Sequence, residues 1–177
     1  MRHALAVLAL LLLPAALASD GMLASSPAFL DGGRIPEPYT CLGEEISPPL
    51  LVVHAPPGTV SLALIMADPD APLSLLRPLG LMNFTHWLVW NVPVEAGSAI
   101  FDEGALPEGA AEADPYVGPC PPVPLDPHRY HFEFHALDAT LTLPANADRA
   151  DLEAAMEGHD LEQDTLVGLF ARPLPVR

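Results

Sequence analysis

The stretch PHRYHFEF, residues 127–134, has the period-two pattern of a β-strand. Successive side chains of a strand point to opposite faces, so the stretch divides into two sets. One set is polar or charged and is typical of a solvated face: Arg129, His131 and Glu133. The other set ends in core residues but begins with two that carry polar groups: His128, Tyr130, Phe132 and Phe134. This polar start indicates a strand that runs from the core to the rim of a pocket.

Two other runs are typical of buried strands. VSLALIMAD (60–68) is almost entirely apolar, and THWLVWNV (85–92) is rich in aromatic and β-branched residues. Three weaker candidates are LLVVH (50–54), LTL (141–143) and TLVGLFAR (165–172). The 22 prolines cluster between such runs, because proline cannot donate to the interior of a sheet. The pattern therefore predicts a mainly β protein.

One helix is predicted near the C-terminus. Asp148 is placed to cap its start, with Asp151 at the third helical position and Gly158 as the stop signal. One face of this helix is apolar and carries Leu152, Ala155 and Met156. Strands followed by a late helix predict one domain, a β-sandwich or bent sheet with a peripheral helix.

The first 18 residues have the layout of a secretory signal peptide. Arg2 and His3 precede a short apolar run, and Ala-Leu-Ala at 16–18 forms an A-x-A cleavage site. The sequence therefore predicts export and a single mature domain over 19–177, in a periplasm or outside the cell. An uncleaved anchor is the alternative, although a membrane span needs about 20 apolar residues. No later segment is long and apolar enough to span a membrane.

The charge balance limits the possible partners. The chain has seven basic residues against 23 acidic ones, a net charge of −16 with histidine neutral. Nucleic acids and anionic membrane surfaces both require a basic footprint, so they are not expected as partners. An anionic ligand would need a local pocket of hydrogen-bond donors.

Two cysteines, Cys41 and Cys120, remain in the predicted mature chain. An even pair in an oxidising compartment is most simply a disulfide. Two free thiols or a metal site are the alternatives.

Polar residues lie at the ends of all three strong strand candidates. Asp68 and Asp70 follow the first strand, His86 lies in the second, and His128 and Tyr130 open the third. Each has an ordinary structural interpretation as well, because Asp-Pro favours a turn, and a buried histidine or tyrosine often serves only packing. Converging at one place, they would form a binding site.

The loop YVGPCPPVPLDP (116–127) favours the binding interpretation. Its prolines make it stiff, so it has little entropy to lose on binding. Gly118 permits backbone conformations that other residues avoid. Backbone N–H groups of such a loop, beside two histidines and a tyrosine, predict a cradle for a phosphate or carboxylate.

The chain resembles the phosphatidylethanolamine-binding protein family, specifically its bacterial Raf kinase inhibitor-like branch. The motifs that carry the resemblance occur in order: DPDAP (68–72), HWLVWNVP (86–93), GPCPP (118–122) and HRYHFEFHALD (128–138). The flanks CLGEEISPPL (41–50) and RADLEAAMEGHDLEQDTLVG (149–168) extend it over nearly the whole mature chain.

The resemblance implies two antiparallel sheets in a β-sandwich-like arrangement, with a small pocket for phosphate, acetate or phosphorylethanolamine-like head groups. It also supports a Cys41–Cys120 disulfide beside that pocket. Matched residue by residue, it implies this ligand-binding set: Asp68, Asp70, His86, Tyr116, Gly118, Cys120, Pro121, Pro122, His128 and Tyr130. No catalytic residue, metal or cofactor is expected.

Three functions are compatible with these residues. The favoured hypothesis is an exported, non-catalytic binding protein for a small anion, in which Asp68 fixes the tautomer of a histidine. The second is an inhibitor of a protease or kinase that takes a peptide or protein partner into the pocket. The third is a hydrolase or metal enzyme using Asp68, His86 and His128, although the chain lacks the H-E-x-x-H and G-x-S-x-G motifs.

Overall fold

The computed structural model describes residues 21–71, 84–113, 115–122 and 126–174. The strands in these ranges are β1 (Leu23–Ser25), β2 (Gly33–Arg34), β3 (Leu50–Val53), β4 (Ser61–Asp68), β5 (Phe84–Pro93), β6 (Ala99–Phe101), β7 (Ala111–Glu112), β8 (His128–Leu137) and β9 (Asp160–Phe170). A helix, α1 (Arg149–Met156), lies between β8 and β9, and a 3-10 turn spans Glu37–Tyr39. The signal-peptide prediction, over 1–18, lies outside the described residues.

The strands of the described residues form two sheets. The smaller has the order β1-β3-β6, and the larger has the order β2-β9-β8-β4-β5-β7. All neighbouring strands pair antiparallel except β2 and β9, which are parallel. The predicted mainly β fold with two sheets is confirmed, with this short parallel pair at one edge.

The apolar run of β4 is explained by its position in the middle of the larger sheet. All eight of its residues are buried. One face packs with the core between the sheets, where Leu64 and Met66 join Phe132 and Phe134. The other face packs beneath α1, with Leu152 among its neighbours. Because both faces are covered, the strand cannot alternate between apolar and polar residues.

The helix forms as its sequence predicts. The Asp148 carboxylate accepts from the Asp151 backbone N–H, and the Asp151 carboxylate accepts from the Asp148 backbone N–H. This reciprocal capping box satisfies two backbone donors that would otherwise lack partners. Gly158 follows the helix with a φ of +80°, which favours glycine. Leu152 and Met156 are buried against the sheet.

Two details of the strand prediction are wrong. Residues 141–143 do not form a strand, because the Asn91 side chain bonds both backbone groups of Leu141, at 2.7 and 2.9 Å. Leu141 and Leu143 still pack against the apolar cluster beneath α1. The last strand begins at Asp160 rather than at 165, and its polar first half pairs with β8.

Within the described residues, no helix has the length and hydropathy needed to cross a membrane.

Replacing the helix cap tests the local account of α1. Asp148→Ala removes the acceptor for the Asp151 N–H, and we expect the free energy of unfolding to fall by about 1 kcal/mol. Urea denaturation measures this loss. The control is Glu157→Ala, since Glu157 is exposed and its side chain has no hydrogen bond to another described residue. Equal losses in the two variants would contradict the capping role.

Candidate functional site

A cavity of about 280 Å³ lies where β4 ends and where β5 and β8 begin. Antiparallel pairing brings these ends together, since Asp68 pairs with Phe84 and Ala67 pairs with His131. Four lining side chains carry polar groups: Asp68, His86, His128 and Tyr130. The other lining residues are Ala71, Phe84, Val117, Gly118, Cys120, Pro121 and Pro122.

Asp68 and His128 form a buried hydrogen-bonded pair. Each is only 4% exposed, and Asp68 Oδ2 lies 2.7 Å from His128 Nδ1. The second oxygen, Oδ1, accepts from the Asp70 backbone N–H at 2.8 Å. A carboxylate can only accept, so Nδ1 is the protonated nitrogen and Nε2 is left for the cavity. The predicted tautomer-fixing contact of Asp68 is therefore present, with His128 as its partner.

His86 is oriented by the backbone instead. Its Nδ1 lies 2.7 Å from the Val117 carbonyl oxygen, and the Val117 N–H donates to the His86 carbonyl at 2.9 Å. A carbonyl oxygen accepts, so His86 also has Nε2 free toward the cavity. Burial lowers the pKa of His86 below its ordinary value. The hydrogen bond to Val117 and the negative charges of Asp68 and Glu45 act in the opposite direction, but they offset only part of this shift. The ring is mostly neutral at pH 7, with a lone pair on Nε2.

Tyr130 lines the same cavity and carries a buried hydroxyl group. The residue is 0% exposed, and its Oη has no hydrogen-bond partner among the described residues. Its ring lies edge-on to His86, with centroids 5.2 Å apart, and stacks near His128 at 6.5 Å. Burial raises the pKa of Tyr130, so the group stays a neutral O–H donor. A buried donor without a partner costs about 1–3 kcal/mol, which an acceptor on a ligand would offset.

The loop supplies fewer donors than the sequence predicts. Pro119, Pro121 and Pro122 have no N–H, and the Gly118 N–H donates to Glu45 Oε1 at 3.2 Å. The N–H of Cys120 is thus the remaining candidate within 118–122. Within 118–122, the expectation of several free backbone donors is therefore wrong, and this part of the loop contributes mainly an apolar wall.

Gly118 is needed for close packing rather than for an unusual φ. A Cβ atom here would lie 3.0 Å from the Thr40 backbone and 3.0 Å from the Glu45 side chain, and its φ is not in the left-handed region. This corrects the conformational role predicted for it.

The disulfide between Cys41 and Cys120 is present, with the two Cα atoms 5.4 Å apart. The Cys41 N–H also donates to the Pro119 carbonyl at 3.2 Å. Together these bonds hold the cavity loop against the segment that follows the 3-10 turn. The disulfide predicted from the sequence is confirmed.

Two predicted ligand-binding residues lie outside the cavity lining. The Asp70 carboxylate accepts from the Arg129 backbone N–H and from its guanidinium at 2.7–2.9 Å, which lowers the pKa of Asp70 to about 2. The Tyr116 hydroxyl donates to the Tyr39 carbonyl at 2.6 Å, and its ring packs against Trp87. Both side chains are occupied in supporting the site rather than facing a ligand.

The other eight predicted residues do line the cavity, although their role in binding stays a prediction. Three lining residues were not predicted: Ala71, Phe84 and Val117. Phe84 precedes His86 by two positions, so strand alternation could have placed both on one face. Val117 acts through its carbonyl, which no side-chain pattern reveals. Within the described ranges, no group of three or more His, Cys, Asp or Glu side chains is placed to hold a metal ion.

The family model described as phosphatidylethanolamine-binding protein matches residues 25–171. The chain belongs to this family. The resemblance inferred from the motifs is confirmed, and the match extends over all nine strands except the first two residues of β1.

Relatives from distant organisms agree with this assignment. A UPF0098 protein of Methanothermobacter thermautotrophicus is 42% identical over 154 residues, covering 82% of this chain and 95% of that protein. A UPF0098 protein of Chlamydia pneumoniae is 41% identical over 152 residues, covering 83% and 97%.

Solved structures share the fold. The phosphatidylethanolamine-binding protein homologue CT736 of Chlamydia trachomatis has a TM-score of 0.78 at 34% identity, covering 88% of this chain and 100% of that chain. YbcL of E. coli, described as a member of the mammalian family, has a TM-score of 0.75 at 23% identity, with 86% and 99% coverage. The YbcL likeness shows the fold alone.

Removing the disulfide should destabilise the whole domain. The bond joins positions 79 residues apart, and closing such a loop contributes a little over 4 kcal/mol in the chain-entropy model. We expect the double variant Cys41→Ser, Cys120→Ser to lose about this much unfolding free energy in urea. The unfolding free energy of the wild-type protein, measured in urea under reducing conditions, should equal that of the double variant. A loss below about 1 kcal/mol would contradict the structural role.

The protonation state of His86 can be measured directly. In ¹⁵N-histidine spectra of the ligand-free protein, we expect its titration midpoint below the ordinary value of about 6.5, with the proton of the neutral ring on Nδ1. His86→Gln assigns the signal. A midpoint above 6.5, or a neutral ring protonated at Nε2, would contradict the burial and the Val117 contact.

Proposed function

We propose that this chain is an exported, non-catalytic binding protein that holds one small phosphate-type anion, or a phosphorylethanolamine-like head group, in the cavity. The observation that carries the proposal is the buried hydroxyl of Tyr130, which has no hydrogen-bond partner among the described residues. Beside it, His86 and His128 each have Nδ1 engaged elsewhere, which leaves both Nε2 atoms for a ligand. All three side chains line the same small cavity.

The positive charge that balances a bound anion has to come from protonated histidine side chains. No described residue of the lining is a lysine or arginine, and Arg129 is bound to Asp70 outside it. Protonated Nε2 atoms would supply the positive charge and donate to ligand oxygens. Because burial keeps His86 mostly neutral at pH 7 in the empty protein, anion binding is coupled to proton uptake.

The size of the cavity supports a head group rather than a whole lipid. Its volume of about 280 Å³ lies just below the common range of small-molecule pockets, about 300–1,000 Å³. A tetrahedral phosphate-type group with a short substituent fits such a space. The apolar wall of Phe84 and the loop prolines suits the carbon atoms of that substituent.

A non-catalytic role is supported by the lack, among the described lining residues, of a hydroxyl or thiol nucleophile of the serine, threonine or cysteine type. Asp68 and His128 have the geometry of an acid–base pair, but no serine, threonine or free thiol is among the described lining residues. The cysteine in the lining is held in a disulfide. The export part of the proposal rests on the sequence of 1–18 and on the disulfide, which persists in oxidising compartments.

Calorimetric titration with sulfate tests the binding site. Sulfate keeps its double charge between pH 5.5 and 8, so changes in affinity report on the protein. We expect wild type to bind at pH 6, Tyr130→Phe to bind about tenfold more weakly through the loss of one hydroxyl donor, and His128→Ala to show no measurable binding.

The matched control is Tyr116→Phe, which removes a buried hydroxyl that lies outside the cavity. Its sulfate affinity should equal that of wild type. The site assignment is wrong if wild type does not bind, or if the two tyrosine variants weaken binding equally.

The pH dependence of sulfate binding has a definite sign. Binding favours the charged histidine, so the bound-state pKa of His86 lies above its lowered free-state pKa. The gain in affinity is complete below the free-state pKa and is lost as the pH rises through the bound-state pKa. We expect affinity to fall at least tenfold from pH 5.5 to 8, with net proton uptake in calorimetry across buffers of different ionisation enthalpy. Constant affinity without proton uptake would contradict the coupling.

A further inference from the structure

A second concave region, distinct from the cavity, lies at the opposite end of the larger sheet. The groove has a volume of about 810 Å³ and is bordered by the end of β5, the edge of β6 and the segment that follows β6. Pro93 marks this end of β5, whereas Phe84 marks the end at the cavity. The ten residues of β5 therefore separate the two regions.

The groove follows an open strand edge. Within the described residues, β6 pairs with β3 alone and ends the smaller sheet. Both Ala99 and Ile100 line the groove, although their side chains point to opposite faces. Consecutive residues of a strand line one groove when its backbone edge faces that groove. Ile100 is 65% exposed at the centre of this edge.

Three carboxylates line this groove together with Ile100. Glu95, Asp102 and Glu108 line the groove and are exposed. No hydrogen bond or ion pair joins their side chains to another described residue, and none of the described residues that line the groove is basic. Most other described carboxylates have such a partner, as Asp70 has Arg129 and Glu112 has Trp87.

We propose that the β6 edge groove docks an extended basic peptide segment of a partner protein by strand addition. The partner strand would place an apolar side chain opposite Ile100 and a basic one opposite Asp102, since facing residues on one side of a strand pair interact. Main-chain hydrogen bonds to the open edge give affinity, and the alternating side chains give specificity. Charge complementarity selects a basic partner, because a second copy of this acidic chain would be repelled.

The probe is a peptide with the alternation that this edge requires, Arg-Thr-Val-Thr-Arg with blocked termini. Titrated into ¹⁵N-labelled protein at low salt, it should shift the amide signals of residues 95–108 and leave those of the anion cavity unchanged. Peptides N-methylated at the two threonines, or at the central valine, test the backbone contact. In an added strand, the amides of the two threonines and the amide of the valine point in opposite directions, so only one of these sets can donate to the edge of β6. Strand addition therefore requires the peptide that is methylated on the donating set to bind at least tenfold more weakly than the other methylated peptide.

Two triple variants separate the groove from the general negative charge. The groove variant carries Glu95→Gln, Asp102→Asn and Glu108→Gln, and we expect it to bind the peptide about five- to tenfold more weakly. The matched control carries Glu37→Gln, Glu44→Gln and Glu157→Gln, which removes the same charge from exposed carboxylates elsewhere and should change affinity less than twofold.

The proposal is overturned by equal losses in the two triple variants, by equal affinity of the two methylated peptides, or by shifts confined to the cavity. Tyr130→Phe should bind the peptide as wild type does, so this experiment and the sulfate titration fail independently.

Discussion

The antiparallel pairing of β4 with β5 and β8 brings the four polar side chains of the described cavity lining to one end of the larger sheet. Both faces of β4 are buried, so a slip of one residue would exchange the side chains of two packed cores. Such a slip is strongly disfavoured. The register therefore holds Asp68 at the strand end beside the first residues of β8, where it meets His128 at 2.7 Å. The register that is set by packing of the core therefore also places the two polar partners of this hydrogen bond beside each other.

The same strands pack in the core at one end and line the cavity at the other. Along β8, Phe132 and Phe134 belong to the core between the sheets, while Tyr130 and His128 reach the cavity on the same face. The rings of His86 and Tyr130 pack edge-on, so the polar atoms are carried by side chains with little freedom. The disulfide and the loop prolines restrict the remaining wall. A ligand would meet a preorganised site and lose little affinity to ordering it.

Much of this arrangement follows from the sequence, because strand alternation and helix caps are local signals, and because two cysteines allow only one intramolecular pairing. The face shared by His128 and Tyr130, the N-cap at Asp148 and the disulfide are all present as predicted. What failed depends on tertiary contacts. The role of Gly118 comes from the approach of Thr40 and Glu45, Asp70 is bound by Arg129, and residues 141–143 bond to Asn91 rather than to a strand. No pattern within one segment encodes these partners.

The central claim is that an anion is held among two histidines and a tyrosine. X-ray diffraction from crystals soaked in selenate, a tetrahedral dianion with an anomalous scatterer, tests this most directly. The account predicts an anomalous peak within hydrogen-bond distance of Nε2 of His86, Nε2 of His128 and the hydroxyl of Tyr130, and its loss in Tyr130→Phe crystals soaked at the same concentration near the wild-type Kd. An empty cavity in wild-type crystals with selenate bound elsewhere on the surface would contradict it.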